Sequence, residues 1–299
     1  MLSRWPAVAG LGRCAPGRLR LVFRAMEALH ELLPLILAML VTGAVAGVLA
    51  GLLGVGGGIV IVPALDAVLG TLQVEPAIRM HVAVATSLAT IIPTSLSSTR
   101  SHHRRGSVDF ALARDWGLFI LLGSIVGAWL ASRMHSAGMS LVFAAVITVM
   151  ALRMLLPAGT LALVRAIPPG PVGRLFPLGI GGVSSIMGIG GGTLSVPTLS
   201  LLGLSMHRAV GTSALFGLLI ALPGALAYVV TGWGDPRLPP GSLGFVSLPG
   251  LLCIAPMTVL TAPLGVRLAH RLSPLHLRLF FGGFLLLVAL RMLYRALLA

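Results

Sequence analysis

Charge is scarce in this chain of 299 residues: only 9% are Asp, Glu, Lys or Arg, against about 25% in soluble domains. Lysine is absent, all 21 basic residues being Arg, and only 7 acids oppose them. A soluble fold of this length needs more charge to clothe its surface, which excludes an ordinary water-soluble enzyme or binding module. The two cysteines, Cys14 and Cys253, form no C-x-x-C motif and no cluster with His, so neither a disulfide framework nor a metal site is indicated. There is no G-x-S-x-G, no H-E-x-x-H and no Walker-type G-x-x-x-x-G-K-[ST] sequence. Catalysis and an ATP site therefore have no support, and no cofactor is implied. A net charge of +14 would raise the question of nucleic acid in a soluble chain. Here the arginines stand singly or in short clusters between apolar runs, where they set orientation and meet anionic lipid headgroups.

What the chain does have is apolar length. Hydrophobic residues make up 57%, the mean hydropathy is +1.03, and 38 residues are Gly. A membrane span needs about 20 mostly apolar residues. Leu32 to Val74 contains a single charge, Asp66, while Met80 to Thr99, Trp116 to Ser132 and Met134 to Leu152 contain none. Leu175 to His207, Ala209 to Gly234 and Leu238 to Val266 continue the pattern apart from Asp235 and Arg237 in the loop around them, and Leu275 to Leu298 carries Arg only near its ends. This predicts an all-α polytopic membrane protein of about eight transmembrane helices. Two shorter apolar pieces, near Ile59 to Leu69 and Thr193 to Leu202, are left as broken or re-entrant helices. Abundant Gly suits helices whose backbones approach closely. The Arg-rich residues 1–30 read as a disordered N-terminal extension without a secretory h-region, with Met26 an alternative start.

The sequence repeats itself. Gly54-Val-Gly-Gly-Gly58, followed by Pro63, returns as Gly188-Ile-Gly-Gly-Gly192, followed by Pro197. Ala83-Val-Ala-Thr-Ser87 returns as Ala209-Val-Gly-Thr-Ser213, Gly106-Ser-Val-Asp-Phe110 as Gly241-Ser-Leu-Gly-Phe245, and Ala151-Leu-Arg-Met-Leu155 as Ala289-Leu-Arg-Met-Leu293. Four matches in one order predict two homologous transmembrane halves, residues 31–156 and 172–298, joined by the Pro- and Gly-rich linker 157–171. Paired halves describe many secondary transporters, whose substrate site lies between them near the bilayer midplane. Four crossings per half would make the halves parallel and five would invert them. The basic loop Arg100 to Arg105, read as cytoplasmic together with Arg165, Arg174 and the N-terminal arginines, tips the expectation slightly towards parallel.

Four glycines in five positions should break each helix at membrane depth, which is tolerated only where protein buries the backbone or it lines a wet cavity. The helix that restarts presents free N–H groups and the positive end of its dipole, so two such ends suit a small anion. Close helix packing is the competing reading for one such motif, and duplication with a following Pro favours a substrate-lining role for both. Gly54, Gly56, Gly57, Gly58 and Pro63 in the first half, with Gly188, Gly190, Gly191, Gly192 and Pro197 in the second, are thus the candidate substrate residues. Thr86, Ser87, Thr212 and Ser213 join them as hydroxyl donors, and Ser184, Ser185 and Ser195 are weaker candidates. Such hydroxyls can equally satisfy their own helix at i−4. His81 and His207 stand before the hydroxyl pairs and, with Arg79, Arg208 and Asp66, could attract an anion or carry a coupled proton. Snorkelling at helix ends is the ordinary alternative.

The G-x-G-G-G motifs followed by Pro63 and Pro197, the Ala-Val-x-Thr-Ser segments and the loop His103 to Asp109 resemble the sulfite exporter TauE/SafE family of membrane permeases over about Leu32 to Leu293. The resemblance implies a multi-pass permease of the inner (plasma) membrane for sulfite, an organosulfonate or a related organic acid. The second half departs from the first by having Gly244 where the first has Asp109, and it lacks the His/Arg run. The chain is therefore expected to be a secondary transporter of a small anion in a lipid bilayer, with no nucleic acid partner and with homo-oligomerisation left open. A non-transporting membrane scaffold or accessory subunit is the alternative.

Overall fold

A computed structural model of the chain describes residues 16–54, 56–155 and 171–298. The described residues form ten helices and one two-stranded hairpin: α1 (Pro16–Leu53), α2 (Gly58–Thr71), α3 (Pro76–His103), α4 (Phe110–Ala131), α5 (Ser136–Leu155), α6 (Pro171–Met187), α7 (Gly192–Leu201), α8 (Met206–Thr231), β1 (Ser242–Leu243), β2 (Val246–Ser247), α9 (Leu248–Ala269) and α10 (Pro274–Leu298). Residues 1–15, and the linker apart from Pro171, lie outside the described residues. The chain divides into two compact units, residues 1–38 and 39–299. The described part of the first is the early stretch of α1, where Leu33, Ile36 and Leu37 are exposed.

Among the described residues six helices are long and apolar enough to cross a membrane: Leu33–Leu53, α3, α4, α5, α8 and α9. Helix α6, with 17 residues, is shorter, and α10 runs for 25. The two short apolar pieces are α2 with 14 residues and α7 with 10. At 1.5 Å per residue they reach about 21 and 15 Å, less than a hydrocarbon core of about 30 Å. Outward Leu118, Val126, Trp129, Leu252, Leu260 and Leu287 stay exposed on α4, α9 and α10, the surface a protein shows to lipid rather than to water.

Packing pairs α4 with α6, α5 with α10, and α3 with both α8 and α9. Small residues hold several of these contacts at backbone distance. A β-carbon on Gly127 of α4 would collide with the Gly182 carbonyl of α6, and one on Gly265 of α9 with the Val48 carbonyl of α1. Helix α3 lies deepest, with seventeen buried residues.

Helices α3 and α8, which carry the two Ala-Val-x-Thr-Ser segments, run antiparallel. Ser95 meets Gly217, whereas Leu88 meets Gly224 further along α8 and Ser107, just beyond α3, meets Gly211 near the start of α8. This overturns the parallel order suggested by the basic loop. The step from α3 to α8 is five helices, α4 to α8, and an odd number turns the later helix around.

Candidate substrate site

Between α1 and α2 the chain turns through Gly54, Gly56 and Gly57, whose φ angles are 68°, 74° and 85°. This left-handed backbone costs a side-chain-bearing residue about 1–2 kcal/mol, so the motif needs glycine for conformation as well as for space. The second motif turns differently. Gly188 has φ 67°, but Gly191, which precedes α7, is right-handed at −53°.

The two loops touch. A β-carbon placed on Gly56 would lie 3.4 Å from the Cα of Gly190, and one on Gly58 would run into the Gly188 carbonyl and lie 2.9 Å from the Cα of Ile189. The α3 side chain Ile91 packs against both Gly56 and Gly58, while Gly191 packs against Phe216 and the Gly217 amide of α8. These contacts fall roughly half-way along α3 and α8, so the helix breaks meet in the interior of the bundle. Helices α2 and α7 both start there, at Gly58 and Gly192, and neither has a side-chain cap. First-turn amides have no intrahelical acceptor, apart from tight contacts such as Val60 N–H to the Gly57 carbonyl at 3.0 Å. Pro63 and Pro197 occupy the sixth position of their helices and are both buried. Lacking N–H groups, they leave the Ile59 and Thr193 carbonyls without their usual i+4 donors.

The hydroxyl residues separate into different environments. Ser87 donates to the Gly188 carbonyl at 2.8 Å, tying α3 directly to the second glycine loop. Ser213, its counterpart, is buried with no hydrogen-bond partner among the described residues, as are Ser184, Ser185, Thr193 and Ser195. Thr86 Oγ1 accepts the Ser247 amide at 2.9 Å, and Thr212 Oγ1 accepts the Asp109 amide at 3.0 Å. Because α3 and α8 are antiparallel, these two threonines lie towards opposite ends of the bundle. They do not converge on one shell as the sequence suggested.

The contacts come in matched pairs. Asp109 caps α4 by accepting the Leu112 amide, and Ser247 caps α9 by accepting the Gly250 amide. Ser247, not the Gly244 picked out by sequence matching, therefore occupies the structural place of Asp109. His81 Nε2 lies 3.1 Å from the carbonyl of Ala131, the last residue of α4, and His207 Nε2 lies 3.1 Å from that of Ala269, the last residue of α9.

The charged candidates are paired. Asp66, read from sequence without a nameable partner, binds Arg79 Nε at 2.9 Å, and Arg208 binds Asp109 at 2.7 Å. Sequence reasoning missed a buried polar column on α3. Thr86, Thr90, Thr94, Ser98 and His102 recur every four residues, all at most 1% exposed. Thr90 and Thr94 bond back to carbonyls four residues earlier, Thr94 also meets Thr258 Oγ1 at 2.6 Å, and His102 Nε2 lies 3.0 Å from the Gly51 carbonyl. The four-residue spacing was the available signal. Among the described residues no group of His, Cys, Asp or Glu could hold a metal ion.

The sequence profile described as sulfite exporter TauE/SafE matches residues 39–292. The chain belongs to the TauE/SafE family. Its curated relatives include a protein of Haemophilus influenzae named "Probable membrane transporter protein", 33% identical over 260 residues that cover 86% of this chain and 97% of that one. Another, "Probable membrane transporter protein YunE" of Bacillus subtilis, is 29% identical over 65% of this chain and 78% of its own length. A probable membrane transporter protein of Methanocaldococcus jannaschii is 24% identical over 88% of this chain and 97% of its own. No solved structure matches the chain significantly. With its apolar helices and this membership, this TauE/SafE protein is a multi-pass membrane transporter.

Proposed function

We propose that the chain is a secondary transporter of a small anion, a sulfur oxyanion, an organosulfonate or a related organic acid, working through two repeats of opposite orientation in the inner (plasma) membrane. The observation that carries this reading is the meeting of the two glycine loops at Gly56 and Gly190, half-way along the central helices. Two uncapped helix starts at one interior place offer amides and positive dipole ends to a negative charge. Ser87, on the Gly188 carbonyl, fixes the second loop. The paired contacts of His81 and His207, and of Thr86 and Thr212, are what a two-fold axis in the membrane plane would produce, and such an axis suits alternating exposure of one site to two sides.

The arginines favour an orientation. Arg100, Arg104, Arg105, Arg208, Arg267 and Arg271 gather at the end that holds the α3 and α9 C-termini. At the other end stand Arg79, Arg133 and Arg237, the first and last of them paired with Asp66 and Asp235. The positive-inside rule puts the Arg-rich end in the cytoplasm.

Flux into proteoliposomes, comparing the wild type with Gly57→Leu and Gly191→Leu, tests the reading with sulfite, thiosulfate and sulfoacetate as probes. Saturable flux lost in both folded variants is expected. Unchanged flux removes the glycines from the site, and no saturable flux of any anion by the wild type favours a scaffold.

A further inference from the structure

At the end of the bundle opposite the Arg-rich one lies a cavity of about 200 Å³, lined by Ala77, His81, Ser132, His135, Arg237 and Phe245 among others. His81 is 5% exposed. Its Nε2 faces a carbonyl oxygen and must therefore donate, so the neutral ring carries its lone pair on Nδ1, and that nitrogen is buried with no hydrogen-bond partner among the described residues. The carbonyl it bonds ends α4, the negative end of that helix's dipole.

The matched histidine at the Arg-rich end has the same bond and a different neighbour. Next to His207 stands His270, the ring centroids 5.2 Å apart and nearly stacked, and the His102 ring lies 5.6 Å from that of His270. At the corresponding place beside His81, one residue past the bonded carbonyl, stands Ser132. Two imidazolium rings at such a distance repel, whereas the ring beside His81 is the uncharged Phe245, its centroid 5.3 Å away, with His135 and Arg237 also lining the cavity.

Resting on the transport reading above, we propose that His81 is the proton-coupling site: Nδ1 takes a proton from the cavity as the anion enters the glycine crossing, and the two charges move together. Ser87, which holds the Gly188 carbonyl, lies six residues along the same helix from His81, so proton and anion sites share α3. A lone anion in a hydrocarbon interior is costly, and a proton carried alongside offsets one unit of its charge. The titratable and charged groups around His81 are His135 and Arg133 from the α4–α5 turn, Asp235 and Arg237 from the segment after α8, and Glu75 and Arg79 from its own helix start, Arg79 being held by Asp66 of α2. Around His207 they are Arg208 with Asp109 and His270, whose own neighbours are His102 and Arg105. With the Arg-rich end in the cytoplasm, the cavity opens outwards, the side from which a proton gradient drives uptake.

Two measurements on the full chain decide this. In nanodiscs containing protein with 15N-labelled histidine, the His81 signals, assigned by their loss in His81→Gln, should pass from the Nε2-protonated neutral ring to imidazolium between pH 8 and pH 5. A His81 that stays neutral through pH 5 overturns the proposal whatever the transport result. In proteoliposomes with the membrane potential clamped, an inward gradient of one pH unit should accumulate thiosulfate or sulfoacetate about tenfold in the wild type, the equivalent of one coupled proton. The side-chain amide introduced by His81→Gln can still donate to the Ala131 carbonyl, so this variant should fold as the wild type does and lose the accumulation. Ser132→His, which gives His81 the neighbour that His207 has, should weaken both the titration and the accumulation. Accumulation undiminished in both variants overturns the coupling and leaves the transport reading standing. Absence of any anion flux overturns that reading instead, and the titration alone then decides whether His81 binds the proton.

Discussion

Replacing Gly58 with Ala separates two explanations of the glycine motifs by the sign of one number. Gly58 opens α2 and its φ is not left-handed. If the glycine were there only for flexibility, Ala would stabilise the helix by up to about 1 kcal/mol. In the structure, however, the added methyl meets the Gly188 carbonyl and the Ile189 Cα, backbone atoms that no rotamer change can move. Overpacking of this kind costs about 1–3 kcal/mol. The third neighbour, Ile91 Cδ1 at 3.0 Å, is a side-chain end that can give way. Gly58→Ala should therefore lower stability by about 1–3 kcal/mol in reversible unfolding from mixed micelles, and Ile91→Val in the same background should leave most of that loss in place. Anion counterflow should fall together with stability, because the loops are pushed apart at the proposed site. A Gly58→Ala protein as stable as the wild type, or more so, refutes the backbone crossing.

Asp109→Ala should destabilise by about 1 kcal/mol through loss of the α4 cap, whereas Arg208→Ala, removing the exposed partner of the same ion pair, should cost at most about 0.5 kcal/mol; chemical unfolding of the two variants side by side checks the order. Burial, helped by the charges of Arg105 and His207, holds the His270 imidazole below its ordinary value of 6.5. The unfolded chain then binds the proton first as pH falls below about 6.5, so stability should decline from pH 7.5 to pH 5.5, and His270→Gln should flatten that slope in melting curves. A slope unchanged by His270→Gln assigns the decline to other groups.

The meeting of the glycine loops in the candidate site was legible because the motif was written twice. One G-x-G-G-G motif reads as packing or as a break, but its return with Pro at the same offset pointed to the loops that meet at Gly56 and Gly190. The short helices also fell close to their expected limits, since glycine breaks one end and the apolar run stops at the other. Direction was harder to read. Whether α2 and α7 count as traverses depends on how the chain leaves the glycine turn, and the φ angles of Gly56 and Gly57 are set by contacts with the other half and with α1, which periodicity does not report. The two threonines are parted for the same reason. Alignment joins Thr86 to Thr212, but antiparallel helices carry them to opposite ends, where each binds the cap of the other half's helix. The Thr90, Thr94 and Ser98 column was hidden inside a run chosen for its lack of charge.

The central claim places an anion between the starts of α2 and α7. Anomalous scattering from crystals grown with selenate, a heavier stand-in for a sulfur oxyanion, tests it most directly. A selenium peak is expected within roughly 4 Å of the first-turn amide nitrogens that begin at Gly58 and Gly192, allowing for N–H···O bonds of about 2.9 Å plus the Se–O reach. A well-occupied selenium peak elsewhere in the bundle, with the glycine crossing closed around nothing but protein, would contradict it.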